Sequence, residues 1–545
     1  MSDQSGPRPN LRLIAGDLVS SIANDVEAVA TEIVKTGRRG RISRPETSID
    51  DVEVPAPHRT RIAVIGGGIA GLSAAWSLIK DREIDADVVV YEADAAVGGK
   101  VKLGQLEGVP IDTGAESMLA VRPEALALAR SVGLAAAIVN PSTSQAAIVA
   151  RGQLKPLPAG LISGIPTDLR ALAVSEVLSV GGLLRIPMDH LLPRTTIDGD
   201  VSVGDFVATR LGREVVDRLV EPMLSGVYAG RADELSLDMV VPVLFRLAKR
   251  ERSLLSAAKE ARKTGAAPTG ARRGPVFAGI SGGVGRLPVA VADRLRRRGV
   301  AIETGTTVTG LRQAADGWRL LTNKAGKAEP VTVDAVILAV PAPAAAKLLR
   351  RANPAAASIL DTIAYASVAL TTFLYDTDSV PSTLAGSGFL VPPIERFAVK
   401  AATYSSRKWA WVARAGAGGA QGKGKRPGYV VIRASLGRYG EPGALQRDDD
   451  ELAALAAREL HTIAGLPADP LAFQVKRWGG ALPQYTVGHR ARVTEVREVL
   501  IDTPGLSVCG AAYDGVGIAA CVGSARFAAG QIAAYVAERG QWVHG

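Results

Sequence analysis

Three glycines and one carboxylate carry the clearest chemistry in this 545-residue sequence. Gly66, Gly68 and Gly71 follow an apolar run, Ile62 to Ile65, and open an Ala- and Leu-rich stretch. In a strand–turn–helix unit, Gly66 would make the tight turn and Gly68 would let the backbone approach a pyrophosphate. Gly71 would let helix and strand pack closely. Gly67, Ile69 and Ala70 complete the turn at the positive end of that helix, where phosphates meet N–H groups. A second apolar run, Val88 to Tyr91, ends at Glu92. A carboxylate at this offset accepts both hydroxyls of a ribose and repels a 2′-phosphate, so FAD or NAD fits and NADP does not.

More small-residue turns follow. Gly98, Gly99 and Lys100 come just after Glu92, and Gly114, Ala115, Glu116 and Ser117 lie in a DTGAES stretch. Near the C-terminus, Gly510 to Ile518 reads GAAYDGVGI and precedes an Ala-rich helix. Gly515-x-Gly517-x-x-Ala520 has the spacing of a second fingerprint, but no acid-bearing strand follows it. A helix N-terminus aimed at the far end of the same cofactor, through Val516, Gly517 and Ile518, is more economical. Contacts spread from residue 66 to 518 suit a large, enclosed FAD.

These turns need elements to hold them. Residues 331–341 and 505–511 read as buried strands, so α/β character returns twice after the first unit. Residues 120–270 read as mainly helical, with Ser202 and Asp205 as capping candidates, and residues 366–435 contain β-patterned runs. The Gly-rich stretch 412–428 reads as a loop. One domain is thus assembled from separated pieces with others inserted. In residues 1–58, apolar residues from Leu11 to Ile33 recur at steps of three or four, which writes a stripe on a helix, and a basic linker follows. That helix could dock on its own body, on a partner or on a membrane surface.

Composition excludes several classes. Hydrophobic residues are 47% and charged residues 22%, values of a soluble globular protein, so disorder and fibre are excluded for most of the chain. Two cysteines exclude a disulfide scaffold and fit a reducing compartment. The hydrophilic N-terminus reads as no signal peptide, and no apolar run is long enough to span a bilayer. A cytoplasmic protein, membrane-peripheral at most, is expected. The net charge of +10 favours anionic partners. Here these are a carboxylate-rich substrate or anionic lipid, with no nucleic acid. The basic run from Arg246 to Arg273 could meet such a lipid or a partner, or simply be a solvated face. Five histidines and no CxxC leave no metal site and no nucleophile–base pairing.

The set GGGIAG, Glu92, GGK, DTGAES and GAAYDGVGI resembles the flavin amine oxidase and protoporphyrinogen oxidase superfamily. A narrower similarity is to the protoporphyrinogen/coproporphyrinogen III oxidases of haem biosynthesis, over about residues 60–540. It rests on Pro222–Gly230, on Gly279–Leu287 (GISGGVGRL) and on Trp478–His489 (WGGALPQYTVGH). The resemblance implies an α/β and α+β architecture. A Rossmann-like FAD-binding domain would comprise 60–125, 272–345 and 498–540, and an inserted helical domain 126–235. A mixed-sheet substrate domain would comprise 236–271 and 346–497.

The same resemblance implies flavin contacts at the glycine turns above, Val308 at the adenine end, Trp478 near the isoalloxazine and Val516 to Ile518 near its pyrimidine edge. Lys100 stands where many relatives have Arg, which keeps a salt link to phosphate but loses bidentate geometry. Ala481 stands where covalently flavinylated relatives have Cys, so FAD would be non-covalent. No side chain is assigned as catalytic, because flavin N5 would take a hydride from the porphyrinogen while a pyrrole nitrogen loses its proton. Molecular oxygen would be the acceptor and hydrogen peroxide the product. Arg122 is the implied holder of a substrate carboxylate, with Tyr228, Tyr485 and His489 as further candidates that could equally be packed core residues. The expected substrate is coproporphyrinogen III, with protoporphyrinogen IX, an amine oxidase or desaturase reaction, and a non-catalytic flavin-fold binding protein as alternatives.

Overall fold

The computed structural model describes residues 59–264, 275–417 and 428–543. The helix and linker expected in residues 1–58 lie outside these, as does most of the Gly-rich loop. Five parallel strands form the sheet that matters most here: Thr60–Ile65, Ala86–Tyr91, Ala301–Glu303, Ala335–Leu338 and Leu506–Val508. Numbered along the chain, they stand 3-2-1-4-5 across the sheet. That doubly wound order opens a crevice at the carboxyl ends, beside the first strand.

Alternation of side chains along the first strand supplies both faces. Ile62 and Val64 pack with the helices Ile69–Trp76, Pro123–Ser131, Arg286–Arg296 and Ile518–Val543. Ala63 and Ile65 pack on the other side with Val308, Trp318, Leu348, Leu360 and Val496. A parallel sheet needs this cover on both faces, and each fully buried aliphatic side chain contributes about 1.5–3 kcal/mol.

The β-patterned runs enter a second, seven-stranded mixed sheet through strands Tyr365–Asp376 and Tyr429–Leu436. Strand Ala472–Pro483, which carries Trp478, forms one edge. Helix Asp449–Ala464 covers this sheet with Leu452, Ala456 and Leu460. A separate helical core gathers Leu172, Phe206, Val216, Leu244 and Leu255. There Ser202 caps helix Val203–Leu211, accepting from the Asp205 N–H at 3.0 Å and donating to its carboxylate at 2.8 Å. The capping expectation holds.

Four expectations change. The stretch 120–270 is not uniformly helical: strands Ala147–Ala150 and Gln153–Pro156 join the seven-stranded sheet as a hairpin. Its turn, Arg151-Gly152, has both residues at positive φ, which matches the twist of the flanking strands. Residues 237–264, expected with the substrate sheet, pack into the helical core through Leu237, Phe245 and Ala258. The run 331–341 is two strands in two sheets, Lys327–Val333 and Ala335–Leu338. The break falls at Asp334, whose carboxylate accepts from the Arg61 N–H at 2.8 Å. Finally, Ala410–Gly416 is a helix, because Trp411 and Val412 bury one side of it.

Candidate active site

The first turn is built as its glycines require. Gly66 has φ +110°, and a Cβ there would stand 2.6 Å from the Ala339 carbonyl oxygen. A Cβ on Gly71 would overlap the Gly66 carbonyl, so only glycine lets helix and strand meet. Gly68 differs, because no protein atom lies within 4 Å of where its Cβ would be. Open space in front of a helix N-terminus fits a pyrophosphate. Beside it, the Glu92 carboxylate accepts from the Gly67 N–H at 2.7 Å and the Asp94 N–H at 2.8 Å. Each oxygen keeps a lone pair for a ribose hydroxyl.

The later turns stack onto this one. The Gly98 N–H donates to the Gly67 carbonyl at 2.9 Å, and a Cβ on Gly99 would sit 3.3 Å from the Gly68 Cα. Next, the Ala115 N–H donates to the Lys100 carbonyl at 3.1 Å, and a Cβ on Gly114 would overlap that carbonyl. Three turns distant in sequence thus lie edge to edge. Trp478 closes the row: its Nε1 donates to the Thr113 carbonyl at 2.9 Å, and its ring lies 3.5 Å from a Cβ position on Gly114.

The C-terminal turn reaches the same place. A Cβ on Gly510 would stand 3.9 Å from the Cβ of Ala70, and the Gly510 N–H donates to Ser524 Oγ at 3.1 Å. Ala70, Ile69 and Ile518 are buried together beneath the turns. Gly517, at φ +97°, faces open space and starts the helix Ile518–Val543. Val516 packs instead against the helical core that also contains Tyr485. Val308 is buried in the same core as Tyr91, the residue before Glu92. Ser117 is half-buried at the end of the third turn. The glycine turns, Trp478 and Gly510 therefore adjoin one another.

Several side chains have other employment. Tyr485 donates from its hydroxyl to the Ala511 carbonyl, and His489 Nε2 meets the Ala512 carbonyl at 2.8 Å. Both are buried, their rings 4.6 Å apart, and Tyr228 packs edge-on to Tyr485 at 5.6 Å. Tyr485 and His489 thus hold the C-terminal turn. Tyr228 is half-buried, and burial pushes its hydroxyl up to about 12. The Glu116 carboxylate accepts from Arg433 on the seven-stranded sheet and from Ser405, Lys408 and Trp409 on and just after the short helix Ser405–Lys408. Only its backbone remains for a ligand.

Two cations stay at the cleft. Burial pushes the Lys100 ammonium below its usual value, and among the described residues no carboxylate pairs with it. An unpaired, partly buried cation beside open glycine turns fits an anionic group. Arg122 is half-exposed at the start of helix Pro123–Ser131, bonded to Glu124 at 2.8 Å. A Cβ on Gly523, in the first turns of the C-terminal helix, would lie 4.0 Å from Arg122 Nη2. Cys509 and Cys521 are buried free thiols, raised by burial, with no role at the surface of the cleft. Among the described residues, no cluster of His, Cys, Asp and Glu could hold a metal, and no helix is long and apolar enough to cross a membrane.

The sequence places Asp112 only as the first residue of the DTGAES turn and assigns Arg433 no role, although a charge within the apolar strand run YVVIRASL is a visible signal.

Comparison with known proteins agrees with this geometry. The family described as flavin containing amine oxidoreductase matches residues 69–533. The coproporphyrinogen III oxidase of Mycobacterium tuberculosis is 35% identical over 467 residues, covering 85% of this chain and 95% of that protein. The coproporphyrinogen III oxidase of Bacillus subtilis is 30% identical over 484 residues, covering 88% and 99%. A solved structure from Exiguobacterium sp. 255-15 superposes with a TM-score of 0.74 at 29% identity, covering 87% of this chain and 99% of that one.

Proposed function

The chain belongs to the flavin-containing amine oxidoreductases, and from that premise we propose that it is the FAD-dependent oxidase of haem biosynthesis that converts coproporphyrinogen III to coproporphyrin III. Its relatives named for that reaction, 30–35% identical over at least 85% of the chain, carry the substrate assignment. Molecular oxygen is the acceptor in this reading, and hydrogen peroxide leaves.

The residues divide the work along the cleft. Gly66, Gly68, Gly71 and the helix they open bind the pyrophosphate, Glu92 the ribose, and Val308 borders the adenine. Gly98 to Lys100 and Gly114 to Ser117 cradle the middle, with Lys100 giving a positive charge. Val516 to Ile518 present the N-terminus of the last helix to the pyrimidine edge, and Trp478 walls the ring. Binding is non-covalent, since Ala481 offers no sulfur. The parallel sheet with its covering helices is the FAD-binding part, and the seven-stranded sheet and helical core border the substrate.

Bound FAD supplies a two-electron acceptor, used three times to remove six hydrogens. The chain itself orients the macrocycle and excludes water. Arg122 holds a substrate carboxylate at the mouth by a charge-assisted bond. No side-chain base is required, because the pyrrole N–H protons become acidic as the ring is oxidised.

The test is oxygen uptake and porphyrin fluorescence with each porphyrinogen in turn, on FAD-loaded protein. A higher kcat/KM for coproporphyrinogen III is expected. A preference for protoporphyrinogen IX overturns the substrate, and protein that takes up no FAD overturns the enzyme.

A further inference from the structure

The segment GISGGVGRL, residues 279–287, has no task in the cleft just described. It ends strand Phe277–Ile280, turns through Gly282 and Gly283 at φ +83° and +103°, and starts helix Arg286–Arg296. That helix has no cap from its own N-cap residue, Gly285. A helix start leaves N–H groups that need acceptors when buried.

Asp112 supplies them from another element. Its carboxylate accepts from the Val284 N–H at 3.0 Å through one oxygen and from the Gly285 N–H at 2.9 Å through the other. The side chain is 4% exposed. Glycines make the approach possible. A Cβ on Gly283 would stand 3.0 Å from Asp112 Oδ1, and one on Gly285 would stand 2.5 Å from the Leu103 amide nitrogen. Pro288, in the first turn of the helix, lies 3.3 Å from a Cβ position on Gly98.

The start of this helix therefore touches both later turns of the glycine stack, and Asp112 enters one of them directly. Thr113 follows Asp112 and donates to the Lys102 carbonyl at 2.9 Å, and Gly114 lies against Lys100. We propose that Asp112 is a positioning residue for the cofactor, capping the helix that begins at Arg286 and so fixing the Thr113–Ala115 turn against Lys100. The proposal rests on the reading that the glycine stack holds FAD. Arg433 and Glu116 are the charged groups that face Asp112, and burial outweighs both N–H bonds and pushes its carboxyl up to about 6. A carboxylate kept at such a cost has a task that Asn, with one acceptor in place of two, performs poorly.

The experiment compares full-length wild type, Asp112→Asn and Leu360→Ala. Leu360 is a buried residue on the other face of the sheet, so its truncation lowers stability without touching the stack. FAD affinity of the apo protein, the fine structure of the bound flavin spectrum and urea unfolding are measured for each. Asp112→Asn is expected to weaken FAD binding about tenfold or more, because the turn is then held in its binding geometry in a smaller fraction of molecules, and to blur the spectrum. Leu360→Ala is expected to lose stability yet keep both. Equal FAD affinity in wild type and Asp112→Asn, or equal losses in the two variants, overturns the proposal while wild type remains yellow. A wild type without flavin would instead sink the functional reading. Should Asp112→Asn not fold, hydrogen exchange on wild type decides. FAD is expected to slow the Val284 and Gly285 amides, and unchanged exchange there overturns the proposal.

Discussion

Arg433 Nη1 donates to the Glu116 carboxylate at 2.7 Å while its Nη2 donates to the Gly114 carbonyl, also at 2.7 Å. One guanidinium thus ties the third glycine turn to the seven-stranded sheet. Burial pushes the Glu116 carboxyl up, but Lys408 and Arg433 more than offset it and hold it well below the ordinary carboxylate range. Arg433→Met leaves a buried carboxylate short of one cation and a carbonyl without its donor. Apo stability should fall by about 3 kcal/mol, the scale for breaking a buried pair. Urea unfolding checks this, and a loss below 1 kcal/mol refutes it.

Gly68 and Gly71 should fail in different ways. At Gly68 an added Cβ has nothing within 4 Å, so Gly68→Val should fold and remain colourless after FAD addition. At Gly71 a Cβ overlaps the Gly66 carbonyl, so even Gly71→Ala should be strongly destabilised, by about 3 kcal/mol or more. Circular dichroism and flavin absorbance separate the two, and a yellow Gly68→Val protein removes the pyrophosphate from that turn.

Among the described residues Arg122 is bonded to Glu124, at a half-exposed position where an ion pair is worth little. Arg122→Ala should therefore leave stability within about 0.5 kcal/mol. It should raise KM for coproporphyrinogen III several-fold with a smaller change in kcat, the pattern of lost uniform binding. Steady-state kinetics with an unchanged KM would take Arg122 out of the pocket.

Asp112 and His489 should pull stability in opposite directions with pH. Burial raises the Asp112 carboxyl to about 6, against about 3.9 unfolded. The native state then binds the extra proton, so this contribution is full below about pH 4 and is lost as pH rises through 6. Burial lowers His489 to about 4, against about 6.5 unfolded. Its contribution is full above about 6.5 and is lost as pH falls towards 4. Each is of order 3 kcal/mol. Between pH 7 and 4.5, wild type should gain stability relative to Asp112→Asn and lose it relative to His489→Gln. Urea unfolding at both pH values measures the two differences, and curves that stay parallel contradict the assignment.

The glycine turn and its acid were legible because their demands are local. A positive φ, a helix N-terminus and a strand end are fixed by neighbouring residues, and the run Ile62 to Glu92 contains all three. The hairpin at Ala147–Pro156 is hidden in the sequence despite its Arg151-Gly152 turn, because the Leu- and Ala-rich stretches on either side carry a helical pattern. Tyr485 and His489 were legible as special residues but not in their task. Nothing near them in sequence shows that the Ala511 and Ala512 carbonyls would be their partners.

Sequence alone, then, determined the strand–glycine turn–helix unit and the short small-residue turns that follow it, since backbone geometry and side-chain period are properties of a few consecutive residues. Tertiary structure alone decided which buried polar group satisfies which: Arg433 lies 317 residues from Glu116, and Asp112 lies 172 from Val284. Such pairs form because packing brings their elements together and burial makes an unpartnered charge too costly to leave, and neither condition is written in the residues beside them.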